Sequence, residues 1–304
     1  TNLKKKDLLT SEISQHLEKV NLKKLLINFA KIFISIALLY FVFQKIPFRE
    51  VTVLWAKTNV FYLVMAAILF LTSQIISTKR LELYFNANDF HLSFRSNLEL
   101  YFLGMFYNFF IPGGIGGDAY KVYLLNKNFG WSAKKITSSL FNDRLSGLLA
   151  ICVLILVFSF NLLEAKFFPI LFVLLVVGFF FTYFLTKKLF SIYTTVFFKA
   201  FSYSFLVQIL QVISFIFLLK SLDVTDNFTI YAVVFLASSV LSLISFAGIG
   251  VREMLFLQAS KWFSFQPEIS VSASLLFTMI TAFFSLFGVI FQIRKLNLKL
   301  TETP

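Results

Sequence analysis

The chain has 304 residues, of which 58% are hydrophobic and only 14% are charged, a composition that excludes a soluble domain and is typical of an integral membrane protein. Its formal net charge of +13 comes mostly from lysines and arginines in the short connections between apolar stretches, where membrane orientation and anionic lipid explain them better than nucleic acid does. The single cysteine and the two isolated histidines offer no metal-ligand spacing, so neither a metal nor another cofactor is expected.

Six stretches are apolar and long enough to cross the membrane as helices, since a hydrocarbon layer of ~30 Å takes about 20 residues. They are residues 25–43, 60–78, 136–160, 167–186, 200–219 and 269–293. A basic segment, 1–24, precedes them, and its apolar residues recur at spacings of four and three, which predicts a helix lying on the membrane surface. A second short interfacial helix is predicted at 48–55, and 79–95 is interpreted as a polar connection.

Two further apolar segments, 97–111 and 228–246, each end in a glycine-rich stretch that a short helix follows. If both segments turn back as re-entrant helices, the lysines and arginines of the connections fall mainly on one side of the membrane. If both segments cross, the basic residues divide almost evenly between the sides. Because basic residues normally concentrate in the cytoplasm, six transmembrane helices plus two re-entrant segments are preferred to the alternative of eight full spans. This arrangement places both termini in the cytoplasm and the protein in the plasma (inner) membrane.

The re-entrant arrangement divides the chain after the basic segment into two membrane repeats, 25–160 and 161–304, which together form one membrane domain. Each repeat consists of two spans, a re-entrant segment and a third span, but the two repeats begin on opposite sides of the membrane. Such inverted repeats are typical of transporters, because exchanging the conformations of the halves opens a central site to alternate sides. The sequence therefore predicts an inverted repeat with a transport role.

The two glycine-rich stretches are similar to each other and are predicted to face each other across a cavity. Irregular backbone at membrane depth is tolerated where it lines a cavity or is buried in protein, and the helix after each loop offers unpaired N–H groups and a positive dipole end to an anion such as phosphate. The alternative is that the glycines only allow close helix packing. The candidate binding residues of the two loops are Pro112, Gly113, Gly114, Gly116, Gly117, Gly248 and Gly250.

Charged residues directly after the loops extend the candidate site. Asp118 and Glu253 lie in the first turns of the helices that follow, where the helix dipole stabilises a carboxylate even without a functional role. Lys121 and Arg252 are the predicted phosphate contacts. Lys121 is also placed to pair with Asp118 at i, i+3.

Three further polar residues, Asn142, Asp143 and Arg144, lie inside the apolar stretch 136–160. Ionisable side chains within a span are costly and by default mark an interior pathway, the alternative being an interfacial pair near the cytoplasmic end. Adjacent residues on a helix point about 100° apart, so Asp143 and Arg144 are expected to meet different partners. The sequence shows no nucleophile with a partnered histidine and no nucleotide-binding loop, and an enzyme is not expected.

Three sequence blocks resemble the signature blocks of the lysylphosphatidylglycerol synthase transmembrane, or flippase-like, family. The blocks are Pro112-Gly-Gly-Ile-Gly-Gly-Asp-Ala-Tyr-Lys121, Asp143-Arg-Leu-Ser-Gly147 and Gly248-Ile-Gly-Val-Arg-Glu253. The last block departs from the family in having Phe246 and Ala247 where proline and glycine are usual. The resemblance implies lipid translocation, with a substrate that varies among members. Lipid aminoacylation is not expected, because the soluble aminoacyl-transferase domain of some members does not follow the membrane part here.

The sequence thus predicts a flippase that moves an anionic, phosphate-bearing membrane lipid, either a phospholipid or a polyprenyl-phosphate-linked lipid, by alternating access. Arg252, Lys121 and Arg144 are expected to engage the phosphate, and the neighbouring carboxylates to set polarity or couple to protons. The alternative is a membrane enzyme or an accessory subunit of cell-envelope glycolipid assembly, which would have an envelope-biosynthesis enzyme as its partner. A small-solute transporter ranks third because no coupling-ion signature is present in the sequence.

Overall fold

The computed structural model of the protein describes residues 58–110, 116–244, 251–263, 265–294 and 296–301. Within these ranges the chain forms nine α-helices, and the β-type pairing found there is one isolated antiparallel bridge. The predicted surface helix, the first predicted span and the second interfacial helix lie outside the described residues.

The helices are α1 (Val60–Asn86), α2 (Phe94–Phe110), α3 (Gly116–Phe129), α4 (Ala133–Ser159), α5 (Phe168–Leu189), α6 (Phe197–Ser221), α7 (Phe228–Ile244), α8 (Val251–Phe263) and α9 (Pro267–Arg294). Two 3-10 turns, Ala165–Phe167 and Ser191–Val196, lead into α5 and α6. Five stretches of the described chain, which contain α1, α4, α5, α6 and α9, are long and apolar enough to cross a membrane, and each coincides with a predicted span. The predicted all-α polytopic membrane fold is thereby confirmed.

Helix α1 is longer than the sequence pattern indicated. The prediction ended this helix at residue 78 and placed Lys79 and Arg80 in a polar connection, but the helix continues to Asn86. That prediction was wrong, because Arg80 is buried inside the helical bundle. Its charge is compensated by Asp143, which is distant in sequence, and no local pattern reveals this pairing.

Helices α2 and α3 form an antiparallel pair, here called hairpin 1. Gly104 and Gly117 meet so closely that a methyl group on Gly117 would overlap the Gly104 carbonyl. At the open end of the pair, the rings of Phe90 and Trp131 stack with their centroids 4.3 Å apart. The chain therefore enters α2 and leaves α3 on the same side of the molecule. Gly130, at φ 68°, ends α3 in the left-handed conformation that glycine adopts without strain.

Helices α7 and α8 form a second antiparallel pair, hairpin 2, which opens in the opposite direction. The ring of Tyr231, near the start of α7, lies 4.6 Å from the ring of Phe265, which follows α8. This open end adjoins the end of α6, where the Asn59 N–H donates to the Ser221 carbonyl (3.1 Å) and ties the start of α1 to α6. The two hairpins thus enter the bundle from opposite ends.

Helices α1 and α6 run antiparallel at the centre of the bundle and are joined by buried polar contacts. Ser214 Oγ donates to the Ala66 carbonyl (2.8 Å), and Gln211 Nε2 donates to Ser73 Oγ (3.3 Å). Around this pair, the first arm of each hairpin packs on the last helix of the other half, α2 against α9 and α7 against α4. The Phe215 ring of α6 stacks on α7 and α8 within the apolar core.

The two ends of the bundle differ in charge. The end at which α1, α3, α5 and α9 finish, here called the basic face, carries many more lysines and arginines than carboxylates, whereas the opposite face carries similar numbers of both. The basic residues of the basic face include Arg95, Lys127, Lys134, Lys135, Lys187, Lys188, Lys199, Arg294 and Lys299. The opposite face carries Glu164, Lys166, Lys220, Asp223, Asp226, Lys261 and Glu268.

Candidate functional site

A cavity of about 210 Å³ lies between hairpin 1 and the helices α1 and α4. Its lining contains three cationic and two acidic side chains, an unusual concentration of charge inside apolar helices. The lining residues are Arg80, Tyr101, Met105, Asn108, Asp118, Lys121, Leu140, Asp143 and Arg144. Because ionisable groups at membrane depth are expensive and mark functional positions by default, this cavity is the candidate functional site.

Arg80 and Asp143 form a bidentate ion pair in one wall of the cavity. Arg80 Nε lies 2.7 Å from Asp143 Oδ1, and Nη2 lies 3.0 Å from Oδ2. The remaining Arg80 nitrogen, Nη1, donates to Ser204 Oγ (3.0 Å), which in turn donates to Ser146 Oγ (3.0 Å). Both charged side chains are buried, so the pair and its hydroxyl partners hold α1, α4 and α6 in a fixed relation.

Asp118 joins the other two cations. Its carboxylate accepts a hydrogen bond from Arg144 Nε and lies 3.6 Å from Lys121 Nζ, the i, i+3 pairing that the sequence suggested. The Lys121 side chain lies over Gly104, where a larger residue would overlap it, and its ammonium group stands 4.9 Å from the centre of the Tyr101 ring. Asp118 is therefore the centre of the charged group on hairpin 1.

The adjacent residues Asp143 and Arg144 bind different partners, as the helix geometry predicted. Asp143 faces α1 and Arg144 faces α3. The two ion-paired groups thus line one cavity from two sides, and among the lining residues three positive charges stand against two negative charges. Among the described lining residues the cations therefore outnumber the carboxylates by one.

A side chain of α2 caps the first turn of α3. Asn108, at the end of α2, accepts a hydrogen bond from the Gly117 N–H (2.8 Å) in the first turn of α3. That N–H is therefore already satisfied and is not offered to a ligand in this conformation. Gly116 begins α3. The predicted loop residues Pro112, Gly113, Gly114, Gly248 and Gly250 lie outside the described residues.

Two predicted site residues on hairpin 2 do not line this cavity. The guanidinium of Arg252 lies over the rings of Phe277 (4.8 Å) and Phe235 (5.3 Å), and its buried Nε has no hydrogen-bond partner in the described part of the chain. Glu253 accepts hydrogen bonds from Ser274 Oγ and Thr278 Oγ1 on α9. The structure thus separates these two residues from the charged group on hairpin 1.

Asn142 also lies outside the cavity lining. It is buried, and its amide nitrogen donates to the Ser138 carbonyl (2.9 Å) one turn earlier in α4. The Asn142 amide is therefore hydrogen-bonded within α4.

Sequence reasoning missed five lining residues: the polar Arg80, Tyr101 and Asn108 and the apolar Met105 and Leu140. A signal for Arg80 was present, because Ser73, Ser77 and Arg80 recur at spacings of four and three and form a polar stripe on an otherwise apolar helix. Tyr101 and Asn108 carry no such signal, since each acts through a partner on α3.

A sequence model of the family described as lysylphosphatidylglycerol synthase TM region matches residues 28–199. The match covers more than half of the chain and includes hairpin 1 and every lining residue of the cavity. The chain therefore belongs to this family, which indicates a membrane protein of lipid or cell-envelope metabolism. Neither a curated protein nor a solved structure matches the chain.

Proposed function

We propose that this member of the lysylphosphatidylglycerol synthase TM region family is a flippase that moves an anionic, phosphate-bearing lipid between leaflets by alternating access. The observation that carries the proposal is the charged cavity, whose lining holds one more cation than carboxylates. Because a lining with a net positive charge attracts negative charge, and ionisable groups at membrane depth by default mark functional positions, the lining favours an anionic ligand. The volume of about 210 Å³ is suited to a headgroup whose acyl or prenyl chains stay in the bilayer.

Phosphate fits this lining because its oxygens accept charge-assisted hydrogen bonds from several guanidinium and ammonium groups at once. Arg80 and Arg144 each hold a carboxylate already. An entering phosphate therefore competes with Asp143 and Asp118 for the same donors. The two carboxylates restore the pairing of the cations when the lipid leaves, and they are the groups through which transport would couple to protons.

The packing of the bundle supports alternating access between inverted repeats. Hairpin 1 opens toward the basic face and hairpin 2 toward the opposite face. Corresponding helices of the two halves also make corresponding contacts. Helix α2 of the first half packs on α9 of the second, α7 of the second packs on α4 of the first, and α1 packs on its counterpart α6. We infer that both hairpins are re-entrant and that rocking one half against the other about the α1–α6 pair exposes the cavity to each side in turn.

The charge of the two faces supports one orientation of the chain. Short connections rich in lysine and arginine normally stay in the cytoplasm. We infer that the basic face is cytoplasmic and that the protein lies in the plasma (inner) membrane.

Reconstitution of the purified chain in liposomes tests the proposal. Labelled phospholipids and polyprenyl phosphates are supplied in one leaflet, and their appearance in the other leaflet is measured. We expect transport of at least one phosphate-bearing class, a loss of about tenfold or more in Arg144→Gln, and little change in Lys199→Gln, which removes an exposed charge of the basic face. Absence of movement in every lipid class would overturn the proposal.

The same preparation distinguishes the alternative function. Turnover of a lipid headgroup by the purified chain alone would indicate a membrane enzyme, and stable co-purification with a glycosyltransferase would indicate an accessory subunit of glycolipid assembly. Either result without lipid movement would replace the flippase proposal.

A further inference from the structure

An apolar cluster, here called the plug, lies between the cavity and the basic face. Its members are Leu81, Phe85, Phe90, Leu92, Leu100, Leu125, Ile136 and Leu140. Leu140 also lines the cavity, and on α3 the plug residue Leu125 stands one turn beyond Lys121 in the direction of the basic face. All eight side chains are at least nine-tenths buried. The plug therefore closes the cavity toward the basic face in this conformation.

The segment after α9, residues 296–301, crosses the connection between α1 and α2 and is here called the strap. The Ser93 N–H donates to the Lys299 carbonyl (3.0 Å), and the Thr301 N–H donates to the His91 carbonyl (2.9 Å). Between these bonds, Leu92 and Leu300 form the antiparallel bridge. The strap therefore pairs with the connection at the plug residue Leu92, and its own Leu298 packs against the plug.

Ion pairs at the root of the strap tie it to α2. Arg294, the last residue of α9, donates to Glu99 Oε1 (2.8 Å), and Arg95 donates to the same oxygen (3.2 Å). The Lys299 N–H adds a bond to Ser96 Oγ (2.8 Å) in the first turn of α2. The last helix of the second half is thus fastened to the first arm of hairpin 1 at the basic face.

We propose that the plug and the strap form the gate of the cavity on the basic face, and that the strap must be released for the cavity to open there. The plug is built from residues of α1, α2, the connection between them, α3 and α4. Opening therefore requires the α1–α2 connection to separate from α3 and α4. The strap and the end of α9 resist this separation through a few bonds. The two arginines that contact Glu99, Arg95 of α2 and Arg294 of α9, are more than half exposed. Such peripheral contacts break and reform far more readily than the core of a bundle does.

Access of a thiol reagent to the cavity tests the gate without measuring transport. Replacing the single cysteine, Cys152→Ser, gives a background into which Met105→Cys places one reporter in the cavity lining. A membrane-impermeant maleimide is then added to vesicles of each orientation. Lys134→Cys on the basic face and Lys261→Cys on the opposite face, each introduced into the same background, identify the exposed side.

Releasing the strap should expose the reporter from the basic face. Glu99→Gln removes the charge that both arginines share, and we expect the labelling rate of the reporter to rise about tenfold, as for the loss of one hydrogen bond to a charged group. The matched control is Glu164→Gln, which removes an exposed carboxylate paired with Lys166 on the opposite face and should leave the rate unchanged. Equal rates in the two variants would overturn the gate.

Locking the strap should have the reverse effect. The bridge positions allow a disulfide between Leu92→Cys and Leu300→Cys in the same background. We expect oxidation to suppress labelling at position 105 from the basic face and to stop lipid movement, and reduction to restore both, so that each sample is its own control for folding. Labelling is read on the peptide that contains position 105, because the two bridge thiols also react when they are reduced. Lipid movement at the same rate in the oxidised and reduced states would overturn the gate.

The transport arm of this experiment rests on the proposed flippase function, whereas the labelling arm does not. If no variant moves any lipid but labelling still follows the state of the strap, the gate stands and the proposed function fails. If the unmodified protein moves lipid but the labelling rate is the same with the strap locked and released, the proposed function stands and the gate fails.

Discussion

Where hairpin 1 brings Asp118 against Arg144 of α4, hairpin 2 brings Glu253 against Thr278 of α9. In both cases an acidic residue in the first turn after a glycine loop bonds the last helix of its own half. The partner is a cation in the first half and a neutral hydroxyl in the second. The two hairpins therefore make comparable contacts through an acidic residue, to a cation on α4 for hairpin 1 and to hydroxyl groups on α9 for hairpin 2.

The residues around the two hairpins also differ in polarity at two further aligned positions. If the two glycine motifs are aligned so that Gly114, Ile115 and Gly116 match their identical counterparts, Asp143 corresponds to Phe277 and Tyr101 to Phe235. In the second half, Arg252 rests on these two rings, an attraction that is modest compared with a buried ion pair. Under the proposed function, the groups that would bind the anion therefore lie around hairpin 1, whereas Arg252 on hairpin 2 has aromatic surroundings. The predictions that follow test this asymmetry.

Breaking the buried ion pair of the first half should have the largest effect. Asp143→Ala leaves Arg80 buried without its carboxylate, and we expect a loss of about 3–5 kcal/mol in the free energy of unfolding together with loss of lipid movement. Unfolding in detergent and the liposome assay measure the two quantities.

The double variant Arg80→Met/Asp143→Leu separates these effects. Replacing both partners by apolar residues of similar size is often neutral for stability, so we expect the fold to recover while lipid movement stays lost. Lipid movement at the parent rate in the double variant would show that this pair is structural and would remove it from the site.

The close approach of α2 and α3 should be the next most sensitive feature. A methyl group in Gly117→Ala meets the backbone carbonyl of Gly104, and overpacking of this kind costs typically about 1–3 kcal/mol. The residues that align with them in the second half are larger, Val251 and Ser238. The control is Gly178→Ala on α5, where a methyl group meets no neighbour within 4 Å. A Gly117→Ala protein as stable as this control would contradict the packing described for hairpin 1.

Replacing Arg144 in the first half and Arg252 in the second should affect the rate of lipid movement to different extents. We expect Arg144→Gln to reduce lipid movement about tenfold or more, since it removes a donor from the cavity, and Arg252→Gln to reduce it by clearly less. Initial rates at several lipid concentrations measure both variants. If Arg252→Gln were the more damaging change, the anion site would belong to hairpin 2 or be shared between the hairpins.

The sequence allowed five of the six predicted spans, the two shorter apolar helices α2 and α7 and part of the charged site to be predicted, because these depend on local patterns. Apolar length reveals a span, and an i, i+3 spacing reveals the pairing of Asp118 with Lys121. The remaining contacts depend on tertiary pairing. Arg80 was assigned to a connection because its partner is far away in sequence, and the aromatic surroundings of Arg252 come from two other helices. Pairing of this kind has no local signature.

The smallest expected effect concerns the link between hairpin 1 and the last helix. The Tyr120 hydroxyl donates to Gln292 Oε1 of α9 (3.2 Å), and its ring lies 4.4 Å from that of Tyr107. Tyr120→Phe keeps the ring contact and removes the hydrogen bond, so we expect a loss of about 0.5–1.5 kcal/mol in the free energy of unfolding. The corresponding residue of hairpin 2, Met254, is 72% exposed, and Met254→Leu should change stability by less than this. Equal changes in the two variants would mean that hairpin 1 is held to α9 by helix packing alone, because the hydroxyl bond would then contribute nothing to the difference between the hairpins.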